Sequence, residues 1–234
     1  HMSYKYGPSI VTDGLVFYVD AGNDKSYPGS GTTWSDLIGG NDGTFEPTLG
    51  PTYDSANGGS IVFDGADDIV EGTGLSNGGG ASTAQSYNIW FKVDALDVSG
   101  FAQGLFFWTE FEGVGIIDVT GELFIQTDGD NSLGDFATTP TVSANTWCNV
   151  VFNFNQGASY ECYVNSVSFG SVATSDTSGE PASSQKWVIG SRVVTGSASS
   201  DYTNGNIAIV QAYNRALTAS EVLQNYNALK NRFI

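Results

Sequence analysis

Between Leu15 and Tyr213 the chain is a succession of short stretches in which apolar and polar residues alternate. They include "GLVFYVD", "SIVFDG", "SYNIWFKVD", "GLFFWTEF", "GVGIIDVTGELFIQT", "TWCNVVFNF", "SYECYVNSVSFGSV", "KWVIGSRVV" and "GNIAIVQAY", each bounded by Gly, Asn, Asp, Ser or Pro. A period of two places successive side chains on opposite faces of a strand, so each stretch reads as a half-buried β-strand. Their spacing of about 12–25 residues is that of an antiparallel sandwich or jelly roll with decorated loops. The 30 glycines serve the turns. No interior linker and no repeat of fixed period interrupts the pattern, so residues 3–234 are expected to form one all-β domain, after an opening His-Met read as an expression scar.

The end of the chain changes period. In "LTASEVLQNYNALKNRF", Thr218 and Glu221 have the spacing of a capping box, and Val222, Tyr226, Leu229 and Phe233 recur at helical intervals. One short C-terminal helix is predicted, its apolar stripe laid against a sheet.

At 234 residues the chain is long enough to bury roughly 70–75% of its unfolded surface without staples. With 25 acidic and 8 basic residues its formal net charge is −17, which repels phosphate backbones and anionic membrane surfaces. Nucleic acid is not expected as a partner. No apolar run approaches the roughly 18 residues needed to span a bilayer, so membrane insertion is not expected either. No signal peptide is visible, and any targeting segment is expected to have been cut away or to lie in another part of a larger parent. The one histidine is His1, inside the scar, so a Ser-His-Asp triad cannot be built. Cys148 and Cys162 share parity with apolar neighbours and read as small buried hydrophobes, with a cross-strand disulfide as the alternative.

The closing "GNIAIVQAYNRALTASEVLQNYNALK" resembles the last strand and closing helix of laminin-G-like, concanavalin A-like jelly-roll domains. "GLVFYVDAGNDKSYPGSGTTWSDLIGGNDGTF", "SIVFDGADDIVEG", "SYNIWFKVD" and "TWCNVVFNFNQGASYECYVNS" resemble the same family, in order. The resemblance implies an antiparallel β-sandwich. The opening "DAGNDKSYPGSGTTW" and the closing "QNYNALKNRF" are also similar to modules of bacteriophage structural and tail proteins, especially marine ones, which implies an extracellular or virion-surface location and other virion proteins as partners. Many members of the family bind glycans, others bind proteins or build particles, and some are appended to hydrolases. Two positions depart from the family pattern: Ala208 stands where an aspartate often ligates a structural calcium, and Ser166 where a glycine is common.

Candidate sites follow from residue chemistry. Asp20, Asn23 and Asp24, with Asp36, Asn41 and Asp42, set carboxylate and amide oxygens in Gly-rich loops, and a structural calcium needs six to eight such ligands. Asp20, Asp36 and Asn41 are the expected side chains, although Asp and Asn are also ordinary turn formers. The run Asp64, Asp67, Asp68 and Glu71 reads as a solvated turn or a second cation site. A neutral glycan or cell-surface polysaccharide would be held by aromatic faces and a few directional hydrogen bonds. Strand parity separates Trp90 from Phe91 and Phe107 from Trp108. Polar Asn88 shares Trp90's face and Glu110 shares Trp108's, so Trp90, Trp108, Glu110 and Asn88 are the expected ligand-binding residues on an outward face. Glu110 and Glu112 sit roughly 6.5–7 Å apart along a strand, a spacing that side-chain flexibility could turn into a glycosidase pair. The reading adopted is a non-catalytic carbohydrate-binding or adhesion module, with a virion assembly domain and a glycoside hydrolase as rivals.

Overall fold

A computed structural model describes residues 8–45, 50–75, 84–96, 102–108, 113–117, 120–127, 130–132, 139–155, 157–173, 186–192 and 201–234. In chain order the strands are β1 (Leu15–Asp20), β2 (Thr33–Trp34), β3 (Gly43–Phe45), β4 (Thr52–Asp54), β5 (Ser60–Asp64), β6 (Val70–Thr73), β7 (Ala84–Val93) and β8 (Ala102–Phe107). They continue as β9 (Gly113–Ile117), β10 (Leu123–Thr127), β11 (Asp130–Ser132), β12 (Cys148–Asn155), β13 (Ser159–Val164), β14 (Val167–Ala173), β15 (Lys186–Ile189) and β16 (Asn204–Tyr213). Helix α1 (Ala219–Leu229) follows the last strand. All the named pairings are antiparallel, and they form two sheets: β14-β13-β12-β7-β16-β5-β4, with β1 also on β16, and β11-β10-β9-β8-β15-β6-β3-β2. The predicted all-β sandwich with one short C-terminal helix is the fold observed.

Alternation decides the core. Phe17, Val19, Tyr87, Ile89, Phe91, Val150, Phe152 and Val210 of the first sheet meet Phe45, Val70, Phe106, Trp108, Ile116, Trp187 and Ile189 of the second in one buried cluster. Burying a large apolar side chain stabilises by about 1.5–3 kcal/mol each, and aromatic geometry adds direction. Tyr87 and Trp108 stack at 3.7 Å between ring centroids, and Trp187 meets Phe17 edge-on at 5.0 Å. Cys148 and Cys162 are both free, buried and part of this core. Burial pushes the Cys148 thiol up to about 12, and Cys162 also rises, through burial and then the neighbouring Cys148.

The outward face of the first sheet is covered by its own chain ends. Val222 of α1 packs with Val11, Leu15, Val151, Tyr163, Tyr213 and Leu217, and Leu229 and Phe233 pack with Trp90, Ala208 and Ile209. The capping box forms in full: the Thr218 hydroxyl accepts from the Glu221 N–H, and the Glu221 carboxylate accepts from the Thr218 N–H. Arg215 holds that carboxylate at 2.6 Å. This pairing and the Thr218 hydrogen bonds hold Glu221 down at about 2.

Candidate functional site

Two of the expected ligand-binding residues lie under α1. Trp90 faces outward as parity requires, but it is fully buried, stacked on Phe233 at 4.5 Å and Tyr226 at 5.6 Å. Asn88 belongs to a buried polar row on the same face. Its Nδ2 donates to Gln211 Oε1, and its Oδ1 accepts from Asn149 Nδ2, both at 2.6 Å. Trp108 corrects the parity assignment. It faces the inter-sheet core against Tyr87, and Phe107 takes the outward face. The strand carries an irregularity between Gly104 and Phe106, so Leu105 and Phe106 both turn inward. Glu110 and Glu112 fall in the connection between β8 and β9 and lie outside the described residues.

The two carboxylates expected to hold calcium accept hydrogen bonds from N–H and O–H donors. Asp36 Oδ1 accepts from the N–H groups of Tyr18 and Ile38 at 2.9 and 3.0 Å. Its Oδ2 accepts from Gly39 N–H, Asn41 N–H and Asn41 Nδ2 at 2.9–3.3 Å. Asp20 is 6% exposed, and Arg232 Nη1 donates to both its oxygens at 2.8 and 3.0 Å. Gly22 N–H and the Tyr18 hydroxyl complete its partners. A hard cation binds where oxygen lone pairs converge unopposed, and these two carboxylates instead point theirs at hydrogens. In this arrangement they do not fit calcium, and they act as loop-fixing anions. The second acidic run does gather: ligand oxygens of Asp64, Asp67 and Asp68 lie within 4.8 Å of one another.

A polar cleft opens on the outward side of the second sheet, lined by Gly40, Asn41, Asp42, Thr44, Glu71, Gly72, Thr73 and Lys186. Three strands build it. Thr44 on β3 lies across from Glu71 on β6, and Lys186 on β15 lies across from Thr73. Lys186 Nζ reaches both Glu71 oxygens at 3.0 and 2.9 Å. The outward row continues from Glu71 to Val188 and Phe107, and on to Gly113. A Cβ at Gly113 would come within 2.3 Å of the Phe107 ring, so only glycine lets that ring lie flat on the sheet. Among the described residues no aromatic side chain lines the cleft. Glu71 and Asp42 carry a legible signal as acids in turn-rich stretches; Lys186 does not, because strand pairing alone brings it to Glu71.

This architecture has a family. A family model described as the concanavalin A-like lectin/glucanases superfamily matches residues 64–223. The chain belongs to this superfamily. No curated protein sequence matches it. Among solved structures, domain 4 of a GH43 extracellular arabinanase from Geobacillus stearothermophilus, in complex with arabinotriose, is similar at a TM-score of 0.64 and 17% identity, over 91% of this chain and 98% of that one. A Trypanosoma rangeli sialidase in complex with the inhibitor DANA is similar at a TM-score of 0.66 and 12% identity, over all of this chain and 36% of the sialidase. Botulinum neurotoxin type C, whose cell entry depends on interaction with two ganglioside molecules, is similar at 0.64 and 12%, over 92% of this chain and 51% of the toxin chain. At these identities the likeness carries the fold, and this superfamily member corresponds to about a third of the sialidase chain and half of the toxin chain in that structure.

Proposed function

We propose that the chain is a non-catalytic carbohydrate-binding module, displayed outside the cell or on a virion surface, that takes a neutral glycan in the polar cleft on β3, β6 and β15. The observation that carries this reading is the cleft's convergence of an amide (Asn41), two hydroxyls (Thr44, Thr73), two carboxylates (Asp42, Glu71) and an ammonium (Lys186). Sugar hydroxyls donate and accept at once, and such a mixed set matches both demands. The sugar-bound arabinanase domain and the ganglioside-dependent toxin support it as relatives in fold. The resemblance of the chain's two ends to phage structural modules supports the particle surface.

With no aromatic side chain lining the cleft among the described residues, the affinity rests on hydrogen bonds, and a Kd of about 1 mM, or roughly −4 kcal/mol, is expected. The test is a glycan array followed by titration of the best sugar into the protein and into Glu71→Gln and Lys186→Ala. Each variant should weaken binding about tenfold, the loss of one hydrogen bond to a charged group. Melting should stay within about 2 °C, because the pair is exposed and contributes little to stability. A sugar bound equally well by both variants would remove the site from this cleft, and silence across a broad array would leave the assembly reading. Release of reducing sugar that Glu110→Gln abolishes would establish the hydrolase instead.

A further inference from the structure

We infer that Arg232 is a resident cation, filling an oxygen cage that would otherwise take a divalent metal ion. Four protein oxygens surround its guanidinium. Nη1 lies 2.8 and 3.0 Å from the two Asp20 oxygens, Nη2 lies 3.2 Å from the Gly59 carbonyl, and Nε lies 3.3 Å from the Asn57 carbonyl. Carboxylate and carbonyl oxygens are the donors that hard divalent cations use, and here they accept from three nitrogens of one guanidinium.

The chain is shaped around the arginine. A Cβ on Gly22 would lie 2.3 Å from Arg232 Nη2 and 2.1 Å from the Gly58 carbonyl oxygen, so the guanidinium passes over bare backbone. The Arg232 carbonyl accepts from Asn57 Nδ2 at 3.0 Å, and the guanidinium carbon lies 4.9 Å from the Phe233 ring centroid. Asp20 ends β1, Asn57 and Gly59 belong to the turn before β5, and Arg232 belongs to the short turn after α1, so one side chain ties three distant segments.

Ala208 completes the case. The Ala208 carbonyl accepts from Ala21 N–H at 2.9 Å, one residue beyond Asp20, while its side chain packs with Trp90, Leu229 and Phe233. A carboxylate at 208 would be buried among apolar groups, where an unpaired charge is strongly disfavoured. The closing segment therefore gives position 208 apolar packing and gives Asp20 its cation in Arg232.

The test is thermal melting with calcium and with chelator, together with terbium luminescence, in which Tyr18 beside Asp20 serves as sensitiser. The unaltered protein should melt at the same temperature in millimolar calcium and in chelator, with no saturable terbium signal that depends on Asp20. Arg232→Ala should melt about 5–10 °C lower, from the loss of a largely buried pair. Calcium should recover part of that loss, with a terbium signal that Asp20→Asn in the same background abolishes. Should the alanine variant fail to fold, Arg232→Met keeps much of the bulk without the charge and is read in the same way. A fall in the melting temperature of the unaltered protein on chelation, or an Arg232 variant that folds but ignores calcium and terbium, would overturn the inference.

Discussion

Asp68 shows how much a single side chain's role depends on burial. It is 5% exposed and accepts the Asp64 N–H at 2.8 Å. Burial, reinforced by the charges of Asp64 and Asp67, pushes its carboxyl from the ordinary 3.8 up to about 6. Because the folded value is the higher one, the stability tied to its proton is full below about pH 4 and is lost as pH rises through about 6. Above that the folded state carries a charge that the unfolded chain leaves in water. Asp68→Asn keeps an acceptor for the Asp64 N–H and removes the charge. Calorimetry should find it melting about 2–5 °C higher than the parent at pH 7.5, with the gain gone at pH 4. A lower melting temperature at both pH values would contradict this account. The run of acids around Asp64 was legible in the sequence as a turn or a cation site; its desolvation was not, because burial depends on packing that residue type and spacing do not record.

At the scale of the element, α1 is the part that sequence describes best. The capping box, the apolar stripe and the strand before it all stand where periodicity places them. The consequence for the sheet beneath is non-local. Leu229 is 9% exposed in a cluster with Trp90, Ala208 and Phe233. Leu229→Ala should lower the unfolding free energy by about 2–4 kcal/mol in urea titrations, with a red-shifted Trp90 contribution to native fluorescence. A loss below about 1 kcal/mol would mean that the helix is not what closes this face. Trp90 was read as outward, and it is. Parity tells which side of a strand a residue leaves from, and says nothing of what arrives to cover it.

For the molecule as a whole, charge is the dominant quantity. The net charge of −17 leaves few cations, and all three arginines are committed internally: Arg192 to Asp201, Arg215 to Asp13 and Glu221, Arg232 to Asp20. Self-repulsion among the remaining acids should make stability rise with salt, because screening lengths fall from about 30 Å at 0.01 M to about 3 Å at 1 M. Melting in sodium chloride across that range should climb by several degrees; a flat or falling curve would show that the internal pairs outweigh the repulsion.

The sequence by itself determined that this chain is an antiparallel sandwich closed by a helix and which superfamily it resembles, because period-two and period-3.6 patterns and cap spacings are local properties. Tertiary structure decided the rest. An irregularity in β8 turned Trp108 inward and left Phe107 outside, strand pairing brought Lys186 to Glu71 across 115 positions, and the folding back of the last residues set Arg232 on Asp20. Each of these depends on which distant segments meet, and no local period records that.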